Sequence, residues 1–245
     1  MKGVHVHSLK TLVTASHVGP SGYQTTLSVL SMMQDCSLLW FEANPALKQY
    51  LDDNGIFMVM TSRQVDFLQK VAYVEPLTVE TGVFECNGYT GSRVTAMYNK
   101  EGNATAVSWS MGLFINRETG RPARLPKSIV EAFPFDEKLD MEYTDKRIAL
   151  PDFEPQVYPS ITAMRSDIDY NQHVNNTHYV RMASEYLPED IGFGRLRVEY
   201  KIAAVQGDKL TPQVYCGDDV ITVVLNNDDE KPYALVEFSL LSKNQ

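Results

Sequence analysis

The feature that most constrains this chain is that it says the same thing twice. At Gly22 a turn, GYQTT, leads into a long helical pattern in which Leu27, Leu30, Met33 and Ser37/Leu38 recur at helical spacing. Thr25 or Thr26 can cap its start, and Pro45 breaks or restarts it. Strand-like runs follow at Phe57 to Leu68, Leu77 to Glu85, Arg93 to Tyr98 and Ala104 to Phe114. Asn87-Gly88 and Lys100-Glu101-Gly102-Asn103 separate them as hairpins require. From Val157 the pattern restarts with a strand, a polar turn and a helix. Strands then fall near Gly194 to Ile202, Leu210 to Tyr215, Val220 to Leu225 and Tyr233 to Leu241. The halves overlay at two offsets. Leu30 falls on Val180 and Asp35 on Glu185 at 150, whereas Val65-Asp66-Phe67 falls on Val198-Glu199-Tyr200 and Leu77-Thr78 on Leu210-Thr211 at 133. The difference, 150 − 133 = 17, gives the first half a longer helix or connection. A strand, one long helix and an antiparallel meander, done twice, predict an α+β chain with each helix packed on a curved sheet. Two such halves would mimic a dimer, and the whole chain could still form a homodimer.

Between the halves, NRETGRPARLPKSIVEAF reads as a loop and a short helix, and FDEKLDMEYTDKRIALPDF as a linker. At 245 residues the chain can bury a substantial core. A net charge of −9 argues against general nucleic-acid binding and against anionic membrane surfaces. The opening MKGVHVHSLKTLVTASHV lacks a secretory core, and the most apolar short run, IFMVM, is far below the ~20 residues of a membrane span. Cys36, Cys86 and Cys216 are odd in number and without a CxxC, which fits packed, reduced thiols in a cytoplasm. No nucleotide fingerprint or metal-ligand spacing is present. His173 and His178 are five apart, one too many for a helical metal pair, and His5 and His7 are expected to fray at the N-terminus. No cofactor and no metal are expected.

The densest chemistry lies in DIDYNQHVNNTHYVRMASEYLP, from Asp167 to Pro188. Asp167, Asp169, Asn171 and His173 are spaced by two and would share a face of extended chain. A helix follows at once, with Tyr179, Ala183, Tyr186 and Leu187 on one side, Asn175 or Asn176 as its cap and Pro188 as its end. Polar side chains thus gather where unpaired helix-start N–H groups favour developing negative charge. Asp169 can accept a proton from water or act as a nucleophile, and His173 can be a second proton carrier. Asn171 can orient water or polarise a carbonyl, and the helix-start N–H groups can form an oxyanion site.

DIDYNQHVNNTHYV resembles the signature of the acyl-acyl-carrier-protein thioesterases, Asp-x-Asp-x-Asn-Gln-His-Val-Asn-Asn followed by a helix with Tyr. Weaker echoes occur at MQDCSLLW, MTSRQVDF and VSWSMGLFINRETGRPARLP. The resemblance implies two tandem hot-dog domains, each a long helix wrapped by an antiparallel sheet: 1–133 with the acyl-chain pocket, a linker at 134–154, and 155–245 with the catalytic motif. It implies hydrolysis of fatty acyl-acyl-carrier-protein in fatty acid biosynthesis, with Asp169, Asn171 and His173 as catalytic residues and the acyl carrier protein as partner. One departure stands out. The family's Glu in the following strand, and the Cys that plant members add after it, fall on Ala203 and Ala204 of VEYKIAAVQGDKL. A Cys nucleophile there is excluded, and Gln206 or Asp208 would be the nearby substitutes for the Glu.

The implied acyl slot would draw on Leu27, Leu30, Met33, Leu38 and the Met58/Met60 strand, where methionine suits a slot that adapts. Docking an acidic carrier calls for cations. Arg117, Arg121, Arg124 and Lys127 form one cluster; Arg181, Arg195, Arg197 and Lys201 form the favoured one, nearer the motif in sequence. Asp35, in the apolar first helix, is expected at a wet edge. Two alternatives share the frame: an acyl-coenzyme A thioesterase, and a non-catalytic acyl-carrier-protein binding protein.

Overall fold

A computed structural model describes residues 7–132, 135–188 and 191–241. His5 and the expected domain boundary at residue 133 lie outside them. The chain divides into two compact units, Met1–Thr61 with Phe67–Tyr143, and Ser62–Asp66 with Thr144–Gln245.

In the first unit, β1 (His7–Leu12) leads through a short 3-10 turn into α1 (Thr26–Glu42). Thr25 caps α1 by accepting the N–H of Ser28, and the helix buries Val29, Leu30, Met32, Met33, Cys36 and Trp40. Pro45 does not merely stop the helix. It opens a second one, α2 (Pro45–Asp53), from the first-turn position where a missing N–H costs nothing. The strands β2 (Ile56–Phe67), β3 (Pro76–Cys86), β4 (Thr90–Tyr98) and β5 (Ala104–Asn116) then form the antiparallel order β1-β3-β4-β5-β2. Helix α1 packs on β1, β3 and β4, and α3 (Lys127–Glu131) is the short helix expected there. His7 is not frayed: it opens β1 opposite Thr81. Asp35 is exposed, as expected of a carboxylate on an apolar helix.

The second unit repeats this in shorter form. β6 (Gln156–Val157) and β7 (Ile161–Thr162) precede α4 (Asn176–Ser184), and β8 (Phe193–Tyr200), β9 (Lys209–Cys216), β10 (Val220–Asn226) and β11 (Pro232–Leu240) follow. Residues Ser62–Asp66 of β2 pair with β8, and the order continues β8-β11-β10-β9-β6. Helix α4 packs on β10 and β11 through Tyr179, Val180, Met182 and Ala183.

The repeat holds at the level of single hydrogen bonds. Gly19 N–H donates to Tyr23 O at 3.0 Å, and Asp169 N–H to His173 O at 2.8 Å. Thr25 N–H donates to His17 O, and Asn175 N–H to Asp167 O, both at 2.9 Å. These pairs are 150 apart. Across the helix, Gln24 N–H reaches Val71 O and Val174 N–H reaches Ala204 O, both at 2.8 Å, and here the acceptors are 133 apart. Both offsets read from the sequence are therefore registers of one structural unit built twice.

Candidate active site

The polar stretch is not extended. Ile168 and Val174 form an antiparallel bridge, which closes residues 169–173 into a tight turn. Gln172 N–H donates to Asp169 O at 3.0 Å, and Gln172 takes a left-handed φ of 65°. Gly22 holds the matching place in the first unit, at φ 76°. A side chain in that conformation is costly and is kept only where its surroundings demand it. The Asp169 carboxylate accepts the N–H of Asn171 at 2.8 Å, the local bond by which an aspartate shapes a turn. Asp169, Asn171 and His173 thus project from one turn rather than from one strand face. Asn171 is exposed, Asp169 and His173 are half-buried, and Tyr170 is 75% exposed at the tip.

Asp167 leaves this group altogether. It is 3% exposed, and its carboxylate accepts from Met164 N–H at 2.8 Å, His178 Nδ1 at 3.1 Å and Arg181 Nη2 at 2.7 Å. Burial pushes its pKa up. The Met164 N–H, the His178 bond and the Arg181 charge outweigh that and hold the carboxyl below its ordinary value. Asp167 is therefore a frame residue that ties the turn to α4. The spacing of two misled because it presumes extended chain. The usable signal was His178 and Arg181, three apart on one helix face.

The cap of α4 is Asn175, whose side chain accepts from Thr177 N–H at 3.0 Å and Thr177 Oγ1 at 3.1 Å. His178 N–H donates to Asn175 O at 2.8 Å. Two of the helix-start donors expected to face a developing oxyanion are thus already used within the cap. Behind the turn, Val174 N–H holds Ala204 O, and Ala204 N–H donates to Tyr179 Oη at 2.8 Å. Burial drives the Tyr179 phenol up to about 12, so it stays protonated. Sequence reasoning missed this strap, since the contact spans 25 positions and no local pattern marks it.

Ala203 is exposed beside the strap. In the first unit the matching positions are Lys70 and Tyr23, and Lys70 Nζ lies 5.7 Å from the Tyr23 ring. Ala203 and His173 hold the corresponding positions in the second unit. The Asp208 carboxylate is engaged locally: its Oδ2 accepts the N–H of Val205 at 2.9 Å, and it bonds the Tyr233 hydroxyl. Gln206 is exposed. Where the second unit carries Asp169, Asn171 and His173, the first carries Gly19, Ser21 and Tyr23 on the same turn. Among the described residues no group of three or more His, Cys, Asp or Glu could hold a metal.

The favoured basic cluster is internally neutralised. Arg181 meets Asp167, Arg195 meets Asp66 at 2.6 Å, Arg197 meets Glu237 at 2.7 Å, and Lys201 meets Glu199. In the other cluster Lys127 pairs with Glu131. Arg117 and Arg124 lie over the Phe57 and Tyr89 rings, and Arg117, Arg121 and Arg124 have no carboxylate partner among the described residues. No helix of the described residues is long and apolar enough to cross a membrane.

Residues 16–133 match the family model of the thioesterase-like superfamily, and residues 154–225 match that of the acyl-ACP thioesterase C-terminal domain. An acyl-ACP thioesterase from Bacteroides thetaiotaomicron is similar in structure, with a TM-score of 0.87 and 20% identity over 97% of this chain and 98% of its own. A 12:0-ACP thioesterase from Umbellularia californica gives 0.86 and 18% over 98% of each chain. At these identities the likeness carries the fold, and the expected pair of hot-dog domains is borne out. No curated protein sequence matches the chain.

Proposed function

From the premise that the chain belongs to the acyl-acyl-carrier-protein thioesterase family and is a thioester hydrolase, we propose that it releases fatty acids from acyl carrier protein with Asp169, Asn171 and His173 as its catalytic residues. The observation that carries this assignment is the contrast between the two turns. One backbone design recurs with matching hydrogen bonds, and only the second copy bears a carboxylate, an amide and an imidazole.

Asp169 takes a proton from water as the water oxygen bonds to the thioester carbonyl carbon. The Asn171 amide steadies the oxygen that gains charge, in place of the helix-start donors that Asn175 consumes. As the carbon–sulfur bond breaks, His173 relays to the departing sulfur the proton that Asp169 took from water, so both side chains end as they began. The products are the free fatty acid and the carrier thiol. The Asn171 N–H bond to Asp169 fixes the carboxylate before substrate arrives.

The first unit is read as the holder of the acyl chain, since its turn carries no such chemistry. Carrier docking is read onto Arg117, Arg121 and Arg124, whose charges have no carboxylate partner among the described residues. A cytoplasmic setting is supported by three free thiols, of which Cys216 is exposed. A homodimer is the assembly to test by sedimentation.

The test is single-turnover release from a panel of acyl-acyl-carrier-proteins, wild type against Asp169→Asn. Release that falls at least about a hundredfold in the variant fits a lost general base. Undiminished release would remove Asp169 from the chemistry.

A further inference from the structure

Two glycines face each other across neighbouring strands of the first unit. Gly91 on β4 pairs with Gly112 on β5. Glycine within a strand weakens the sheet and commonly marks a place where something approaches the backbone closely. Here the occupant is the side chain of Met58. A Cβ placed on Gly112 would stand 2.6 Å from both Met58 Cγ and Sδ, and one on Gly91 would stand 3.9 Å from the same sulfur. The paired glycines therefore form a trough, and a flexible thioether lies in it. Methionine is unbranched, with three rotatable bonds, and can leave and return at low cost.

The next row of the same sheet face closes the trough on one side. Arg93 lies two residues from Gly91 on β4, so its side chain emerges on the same face. It is 5% exposed, stacks on Trp40 and Phe41, and donates through Nη1 to Ser37 O at 3.2 Å and to Thr81 Oγ1 at 3.4 Å. Its Nη2 is buried without a hydrogen-bond partner among the described residues. Those contacts fix the guanidinium in place, and a hydrocarbon tail offers its Nη2 no acceptor, so the Arg93 row gives an acyl chain neither room nor a favourable contact. On its other side is Phe114, two residues from Gly112 on β5 and part of the apolar cluster against which Met58 packs.

We infer that Met58 determines the length of acyl chain that this enzyme accepts. This rests on the reading of the first unit as holder of the acyl chain. The tail of a longer substrate enters the trough over Gly91 and Gly112 by displacing the thioether, and the Arg93 row is the wall at which it stops. A shorter substrate leaves Met58 in place.

The experiment measures kcat/KM for saturated acyl-acyl-carrier-proteins of graded length with wild type, Met58→Ala and Gly112→Ala. Met58→Ala opens the trough and is expected to raise kcat/KM roughly tenfold for a chain about two carbons longer than the wild-type optimum. Gly112→Ala forces the thioether out toward the substrate and is expected to move the optimum shorter by about two carbons. Shifts of opposite sign cannot come from general loss of folding. Turnover with the same length profile in all three proteins would overturn the role of Met58 while leaving the thioesterase reading intact. Absence of turnover by wild type across the panel would overturn both.

Discussion

Arg181 Nη2 lies 2.7 Å from Asp167 Oδ1, and this contact joins the loop before the candidate catalytic turn to the helix after it. The carboxylate is nearly buried while the arginine is about half exposed. The pair is therefore asymmetric, and removing the arginine harms the buried partner most. Arg181→Ala should cost about 1–3 kcal/mol, since solvent screens part of the attraction that is lost. Chemical denaturation reads this directly, and a change below about 0.5 kcal/mol would count against the frame role.

The same carboxyl gives the fold a pH dependence of known sign. Its folded pKa lies below its ordinary value. Its contribution is present above the unfolded carboxylate value of about 3.9 and is lost as pH falls through the lower folded value. Asp167→Asn should melt well below wild type at neutral pH, and the two should converge as the medium becomes acidic. Parallel melting curves across that range would show that Asp167 is not responsible.

Tyr179→Phe removes only a hydroxyl, yet it strips the partner from the N–H of Ala204, a residue with no exposed surface. An unsatisfied buried donor costs about 1–3 kcal/mol. Because Ala204 O also holds Val174, at the end of the turn, the loss should appear in kcat more than in KM. A variant that is destabilised but keeps the wild-type kcat would limit the strap to stability.

Ala203→Glu tests what the absent carboxylate is worth. Position 203 is exposed and shares the register in which Lys70 meets Tyr23. A glutamate there would come beside His173 and could orient water or hold the imidazole. Single-turnover rates should rise on the order of tenfold or more, within the range of a positioned acid–base group, and Ala203→Gln should give less. Equal rates for Ala, Gln and Glu would show that the turn is self-sufficient.

Replacing Arg117, Arg121 and Arg124 together by Ala should raise KM for acyl-acyl-carrier-protein roughly tenfold at low salt, with kcat nearly unchanged and the difference fading as salt is added. Arg195→Ala should instead lower stability, because the buried Asp66 beside it loses its cation and keeps Gln64 as its side-chain partner among the described residues. Salt-dependent kinetics and thermal melts on the two proteins separate docking from framing.

What the sequence by itself determined were the local signals and their repetition. Thr25 and Asn175 cap the two helices because each is a short polar residue at the point where N–H groups lose their partners. Pro45 begins a helix because only its first turn tolerates a missing donor. The offsets of 150 and 133 were legible because each unit buries the same faces in the same order. The motif itself singled out Asp169, Asn171 and His173 as the candidate catalytic set. Tertiary structure decided the rest. It turned an alternating stretch into a tight loop by pairing Ile168 with Val174, and so withdrew Asp167 from its neighbours. It neutralised Arg195 with Asp66, a partner 129 positions away, and took the Ala204 amide for Tyr179. In each case the deciding bond joins groups distant in sequence. A buried charge or donor must find its partner in three dimensions, and composition and spacing do not encode where that partner lies.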